Sequence, residues 1–437
     1  MAFYLHGVHL PHKKATASSP AVVMPIPPQV TIPMSMHIGK PATPTVKVGD
    51  VVKVGTLIGE QNGPVSSRIY ASVSGKVVSL PEITMPGGNK SVAVTIQSDG
   101  EMTKEELTAP QIRSREDIIE ALRISGLVGL GGAGFPTAVK FNVAPEKIEE
   151  LIVNGAECEP YITSDTLSMT TRTEEIDFAL SALEKWLGLK KVIIGVEKQN
   201  ARALQAMQFL AAQNPSVRSL KALPNSYPQG GEKVLIYHTT KKIVKLGQLP
   251  IDVGCIVTNC SSLAEFGAYL KTGMPLVEKC VTVDGGAIRE PKNVIVPIGT
   301  SVGDLIEFCG GFKEQPYKVL YGGPMMGIAL PNLSLPIMKN HNGITALTKS
   351  ETKSSEPTPC IRCGSCTNAC PFGVAPAAIA EALEKKDYAA MDDSGANLCM
   401  ECGCCSFVCP AHRPLVQTNK LAKAALRAQK AKEGNAK

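Results

Sequence analysis

Of the 14 cysteines in this 437-residue chain, eight fall into two runs of one spacing. The first reads Cys360-Ile-Arg-Cys363-Gly-Ser-Cys366-Thr-Asn-Ala-Cys370-Pro371, and the second reads Cys399-Met-Glu-Cys402-Gly-Cys-Cys405-Ser-Phe-Val-Cys409-Pro410. Thiolates are soft ligands that suit iron–sulfur clusters, each of which takes four. Three cysteines at this spacing can wrap one cluster in a tight loop, and the fourth starts the next segment and reaches the other cluster. The spacing therefore assigns Cys360, Cys363, Cys366 and Cys409 to one [4Fe-4S] cluster. Cys399, Cys402, Cys405 and Cys370 make the second. A single C-x2-C would serve zinc as well; two complete runs, each closed by a proline that turns the chain away, point to clusters. Cys404 offers a competing register to Cys405. Symmetry with the first run favours Cys405 and leaves Cys404 as a packed thiol.

A second chemistry is written in glycine. Gly126-Leu-Val-Gly129-Leu-Gly131-Gly132-Ala-Gly134-Phe135-Pro136-Thr137-Ala-Val-Lys140 allows close backbone approach. Its N–H groups can cradle a phosphate, with Lys140 as counter-charge. On the glycines alone a flexible turn explains the loop equally well. The next segment adds weight. Glu150–Val153 reads as a buried strand that ends at Asn154-Gly-Ala-Glu157-Cys-Glu159-Pro160, and ligands sit at the carboxyl ends of strands in an open α/β sheet. Pro228-Gln-Gly-Gly231-Glu232 is another glycine loop that opens a helix, and Ile256-Val-Thr258-Asn259 is another strand end.

The elements that must position these groups follow from periodicity. Helices are expected at 116–125, at 174–187 (Ile176, Leu180, Leu183 and Leu187 on one face) and at 200–212, with a strand at 192–196. That alternation is α/β. Short strands with glycine turns between 46 and 97 predict a small β-sandwich. Residues 1–45 are proline-rich and are expected to wrap a domain surface in extended form; His6, His9 and His12 there read as surface or packed side chains. Residues 276–322 predict a hairpin, a strand and a short helix, hence a β-grasp unit. Residues 331–358 read as a polar linker. The basic tail 415–437 reads as a weakly amphipathic, solvated helix carrying Leu415, Leu421 and Leu426.

Composition bounds the rest. Hydrophobic content is 44% and charged content 19%, which describes a globular chain. A net charge of +6 and 5% aromatics do not argue for nucleic acid. Neither a signal peptide nor an apolar run of spanning length is evident, so a soluble or peripheral protein in a reducing compartment is expected.

Three stretches resemble known families. Gly49-Asp50, Gly55, Glu60 and Ser74-Gly75-Lys76-Val77 resemble biotinyl/lipoyl barrel-sandwich domains, without the Met-Lys hairpin of their carrier members, so a structural or docking role is expected. Gly129-Leu-Gly-Gly-Ala-Gly-Phe-Pro-Thr, Asn154…Glu157-Cys-Glu159-Pro160, Tyr227…Gly230-Gly231-Glu232 and Thr258-Asn259 resemble the NADH-oxidising flavoprotein subunit of respiratory complex I. That resemblance implies FMN and NADH held at Gly129, Gly131, Gly132, Lys140, Asn154, Tyr227, Gly231, Glu232 and Asn259. It also implies an acidic pair, Glu157 and Glu159, beside the nicotinamide nucleotide; an acidic pair at a helix N-terminus is the alternative. Val128 and Leu130 stand where that family has arginines, and Ala156 where it has an aspartate. Residues 276–322 are similar to the soluble-ligand-binding β-grasp domain of complex I relatives.

Over nearly its whole length the chain resembles the C subunits of Rnf complexes, the ion-pumping ferredoxin–NAD oxidoreductases of bacteria. The implied fold is multidomain α/β and β. It comprises a barrel-sandwich domain (1–105), a Rossmann-like FMN/NADH domain (106–265), a β-grasp domain (266–330), a linker (331–358) and an α-helical two-cluster ferredoxin-like domain with a basic tail (359–437). The implied function is electron transfer between NADH, FMN and two [4Fe-4S] clusters. Partners would be the other subunits of a membrane-bound complex, a ferredoxin-like iron–sulfur subunit among them, at the cytoplasmic face of the inner membrane. No side chain need act as acid or base. Two rival functions are a soluble flavin and iron–sulfur reductase, such as a cobalamin reductase, and a relay scaffold with a degenerate flavin pocket.

Overall fold

The computed structural model describes residues 5–352 and 355–435. Between residues 29 and 98, apolar residues alternating with polar ones fold into two small antiparallel sheets. In the larger, Lys90–Ser98 lies between Gln29–Pro33 and Gly75–Ser79, with Val51–Val52 beyond and Glu82–Thr84 added at the side. The smaller joins Thr43–Pro44, Leu57–Glu60 and Ile69–Tyr70. Val30, Ile32, Ile58, Ile69, Val77, Val94 and Ile96 fill the space between them. Gly75 has φ +148°, and a side chain there would collide with the carbonyl of Gln97; only glycine suits that crossing.

The segment before the sandwich leaves it altogether. Val8 pairs with Tyr227 through two backbone bonds of 2.9 and 2.8 Å, and the Tyr161 N–H donates to Lys13 O at 2.7 Å. Ala21–Val23 then adds a parallel edge strand to Lys292–Pro297. The expected extended wrapping is thus a strap across two other domains, held by backbone pairing and by the side chains of Lys13, Lys14 and Thr16.

The central α/β domain is built on four parallel strands in the order Arg218–Leu223, Val192–Glu197, Glu150–Gly155, Cys255–Asn259. Leu151, Ile152, Val153, Val192, Ile194 and Val196 are buried, as expected where helices cover both faces of a parallel sheet. Helices Thr173–Leu187 and Cys260–Thr272 pack so closely that a side chain at Gly267 would strike the Glu175 carbonyl. Thr173–Leu187 ends on Gly188 in the left-handed conformation (φ +65°), the common helix stop. Asn154, Glu197 and Asn259 all stand at the carboxyl ends of their strands, on one edge of the sheet.

The next domain corrects the expected linker at 331–358. Gly343–Leu347 is a buried interior strand of a six-stranded sheet, paired parallel with Glu278–Asp284 and antiparallel with Lys318–Tyr321. Its five residues are too few to announce themselves among lysines, serines and threonines, yet Ile344 and Ala346 complete the core with Val281, Val283, Val294 and Ile306. Lys339 is also buried, donating to the carbonyls of Gly126 (2.7 Å) and Arg68, so it joins three domains.

The cysteine-rich domain repeats one motif twice. In each half a left-handed residue (Arg362, φ 55°; Glu401, φ 63°) precedes a cysteine and a glycine, and the glycine opens a short helix, Ser365–Asn368 or Cys404–Phe407. A longer helix follows, Pro376–Glu384 or Leu415–Asn435. The tail helix is not simply solvated. Leu415, Val416, Asn419, Ala422 and Leu426 are buried, whereas Leu421 is 63% exposed. The packed stripe includes small and polar residues, which the leucine spacing alone does not reveal. Each fully buried leucine there contributes about 1.5–3 kcal/mol. No described helix is long and apolar enough to cross a membrane.

Candidate functional site

The glycine loop meets the strand end at Asn259, which pairs beside the strand end at Asn154. The Gly129 N–H donates to Phe135 O at 2.9 Å, and Val128 bridges to Pro136, so the loop is a closed excursion whose tip, 131–133, is exposed. A Cβ at Gly131 would lie 2.6 Å from Asn259 Nδ2, while one at Gly132 would meet nothing within 4 Å. Asn259 caps helix Cys260–Thr272 by accepting from Ser262 N (3.1 Å), and its Nδ2 donates to Asp165 Oδ2 (2.7 Å). Asn154 donates to Gly230 O at 3.0 Å and so ties the first strand end to the second glycine loop. Lys140 reaches in from helix Thr137–Phe141, donating to Val257 O at 2.7 Å with the Glu232 carboxylate 3.6 Å away. Glu232 starts helix Glu232–Thr240, whose N-cap, Gly231, has no capping side chain. Gly131 with Asn259, Lys140 with Glu232, and Asn154 with Gly230 are thus brought into contact at the carboxyl edge of the sheet.

The carboxylates of Glu157 and Glu159 are both engaged by protein donors, and Glu157 takes the helix-N-terminal place named as the alternative. The Glu157 carboxylate accepts from Asp165 N (2.7 Å), Thr166 N (3.1 Å) and Thr166 Oγ1 (2.7 Å), at the N-terminus of helix Ser164–Thr171. The Glu159 carboxylate accepts from Met325 N (3.1 Å) and Met326 N (2.7 Å), gripping a loop of the following domain. Burial pushes both carboxyls up to about 7, and a buried carboxylate takes whatever N–H donors are near. Lys14 of the N-terminal strap holds the backbone between them, donating to the carbonyls of Glu157 (2.7 Å), Glu159 (2.9 Å) and Ile162.

Tyr227 reaches the cysteine-rich domain. Its buried hydroxyl donates to Cys402 O at 2.7 Å. Met400 packs on Gly231, and Met325 packs on Gly403. The loop 399–405 is therefore seated against Tyr227 and the second glycine loop. Cys404 aims its thiol at Tyr227 O (3.8 Å) among Val8, Tyr227 and Ala369, while Cys405 packs with Ala380, Leu415, Val416, Cys366 and Cys409. Burial pushes the Cys370 thiol up, and the neighbouring charges of Cys402 and Cys399 push it further; the fourth cysteine of the first run thus faces the second. Cys360 and Cys363 are exposed. Among the described residues no three His, Cys, Asp or Glu side chains converge on a point for one ion. That bears on a mononuclear site; a cubane spreads its four thiolates over several irons.

Four family models cover most of the chain: the RnfC barrel sandwich hybrid domain (3–101), the Nuo51 FMN-binding domain (122–267), the SLBB domain (280–329) and a 4Fe-4S dicluster domain (352–410). The C subunit of the proton-translocating ferredoxin:NAD(+) oxidoreductase complex of Clostridium ljungdahlii is 42% identical over 87% of this chain and 84% of its own. The C subunit of the Na(+)-translocating complex of Acetobacterium woodii is 40% identical over 98% of this chain and 97% of its own. The chain belongs to the RnfC family. A third relative, the C subunit of the ion-translocating oxidoreductase complex of Rhodobacter capsulatus, is 37% identical over 96% of this chain and 82% of its own.

Within this RnfC-family chain, several residues that hold these elements together lay beyond sequence reasoning. Lys14 stands in a segment without periodicity, and only the strap's pairing brings it to Glu157. Asp165, buried, accepts from Asn259 Nδ2 and from Ser261 Oγ (2.6 Å). A short helix rich in Ser and Thr gave no sign of it. Met400 was legible as part of a cysteine run, but not as the contact to Gly231.

Proposed function

We propose that this chain is the electron-transfer subunit of a membrane-bound, ion-translocating ferredoxin–NAD oxidoreductase complex, carrying electrons between NADH, FMN, two [4Fe-4S] clusters and the other proteins of the complex. The observation that carries this is the seating of loop 399–405 against the second glycine loop, through Met400 on Gly231 and the Tyr227 hydroxyl on Cys402 O at 2.7 Å. Two redox groups held on either side of that contact would be neighbours within one protein. The central domain is taken as Rossmann-like, the following one as β-grasp, and the last as a helical ferredoxin-like module.

The residues present fit the groups. Exposed Gly131 and Gly132 leave a bare backbone for a phosphate, and the uncapped N-terminus at Gly231 and the Lys140 ammonium favour an anion. Gly129, Asn154, Glu232 and Asn259 would orient the rest of FMN and NADH. Glu157 and Glu159 support the loop after Asn154, and Tyr227 holds the cluster loop against the second glycine loop. FMN, when bound, supplies the exchange between a hydride's electron pair and the single electrons an iron–sulfur cluster takes. Cys399, Cys402, Cys405 and Cys370 would hold the cluster nearer the central domain. Cys360, Cys363, Cys366 and Cys409 would hold the outer one, whose exposed Cys360 and Cys363 suit a partner carrier, such as a ferredoxin-like iron–sulfur subunit. The location is peripheral, at the cytoplasmic face of the bacterial inner membrane.

Lys140→Met tests the flavin site. Flavin retention and NADH oxidation should both fall by at least about tenfold, the loss of one charge-assisted hydrogen bond of about 1.5–3 kcal/mol. Unchanged NADH oxidation with an unchanged flavin content would favour the relay scaffold instead.

A further inference from the structure

Asn419 lies on helix Leu415–Asn435, ten residues after Cys409. It is 1% exposed, on the helix face that carries the buried Leu415, Val416, Ala422 and Leu426. A primary amide in such a place costs stability unless it finds partners. Its Nδ2 donates to Cys399 Sγ at 3.4 Å, while its Oδ1 has no partner. That orientation is the one a thiolate demands, because a thiolate accepts and has no proton to give.

The internal repeat supplies a control. The two long helices each begin six residues after the fourth cysteine of their run, so Ala380 occupies in the first half the place of Asn419 in the second. Backbone bonds to the first cysteines match: Arg362 N donates to Cys360 Sγ and Glu401 N to Cys399 Sγ, both at 3.4 Å. Nearby charge largely cancels, since Lys423 bonds Cys399 O (3.0 Å) but also the Glu401 carboxylate (2.6 Å). The halves also differ in charge and exposure, with Arg362 and Glu384 standing where the second half has Glu401 and Lys423 and Cys360 exposed where Cys399 is half-buried; among the described residues, a side-chain amide on the first cysteine's sulfur is found in the second half alone.

We propose that Asn419 is a positioning residue that acts through Cys399 to raise the reduction potential of the cluster this cysteine holds, making the two clusters inequivalent. This rests on the assignment of the eight cysteines to clusters. An N–H dipole aimed at a cluster sulfur favours the reduced, more negative state, and hydrogen bonds to sulfur are among the main controls of cluster potential. It goes beyond holding the helix in place, because a packing role would leave the potential untouched.

The test is an EPR-monitored redox titration of the full chain, purified anaerobically, as wild type, Asn419→Leu and Asn419→Ala. With iron content retained, one of the two midpoints should fall, the reduction equilibrium dropping about tenfold, or ~59 mV for one electron, while the other stays. Full iron with both midpoints unmoved would overturn the proposal. If the variants lose a cluster, the wild type decides. An exchangeable-proton hyperfine coupling from the Asn419 amide, lost in D2O, supports the bond, and its absence overturns it. Wild-type chain that never binds iron would defeat the cysteine assignment itself, a failure distinct from an unmoved midpoint.

Discussion

Replacing Tyr227 by phenylalanine removes one hydroxyl from the junction between the central domain and the cysteine-rich domain. The phenol is 3% exposed and Cys402 8%, so the orphaned Cys402 carbonyl would have little access to water while the domains stay docked. Leaving such a group unsatisfied costs about 1–3 kcal/mol. The cost at Cys402 falls on the docked state, since an undocked loop would solvate the carbonyl. At 1.4 kcal/mol per tenfold, the undocked fraction should rise about 5- to 150-fold. Hydrogen exchange of the amides of 399–405 measures this directly, and flavin-to-cluster electron transfer in stopped flow should slow in parallel. Flavin and iron contents should stay at wild-type levels. Unchanged exchange would refute the reasoning. So would loss of flavin with docking intact, which would put the phenol on the flavin instead of the cluster loop.

Gly131→Ala should force Asn259 aside, because the added Cβ falls 2.6 Å from its Nδ2. The helix cap on Cys260–Thr272 would weaken by about 1 kcal/mol, and retained FMN, read from visible absorbance, should drop. Glu157→Gln tests the buried carboxyl. Burial raises Glu157 from its ordinary 4.5 to about 7, so its contribution is present below pH 4.5 and is lost as pH rises towards 7. Wild-type stability relative to the variant should therefore fall by about 3 kcal/mol across that window and level off above it; a flat difference in urea melts would contradict this. Lys14→Met leaves three carbonyls without their donor and should destabilise the chain by about 1–3 kcal/mol. Faster proteolysis of the strap before residue 21 should accompany it, and an unchanged cleavage rate would count against the strap's anchoring.

The parallel sheet and most of its helices were legible because their signals are local. Buried runs such as Leu151–Val153 and the spacing of Ile176, Leu180, Leu183 and Leu187 survive without knowledge of neighbours. The cysteine runs were legible for the same reason. The strand Gly343–Leu347 was not, since five residues acquire their meaning only from the strands on either side. The same holds for Lys14 and Asn419, polar residues whose partners lie far away in sequence. Glu157 and Glu159 were found as residues, but not their protein partners: their backbone follows a strand end, while their carboxylates turn to N–H donors on other elements.

An anaerobic NADH titration of the purified chain, followed by visible absorption and EPR with metal analysis, bears most directly on the electron path. The expected result is one flavin that bleaches on NADH addition, followed by the signals of two reduced [4Fe-4S] clusters. Zinc in place of iron, or a chain that holds its clusters but neither binds flavin nor accepts electrons from NADH, would contradict it.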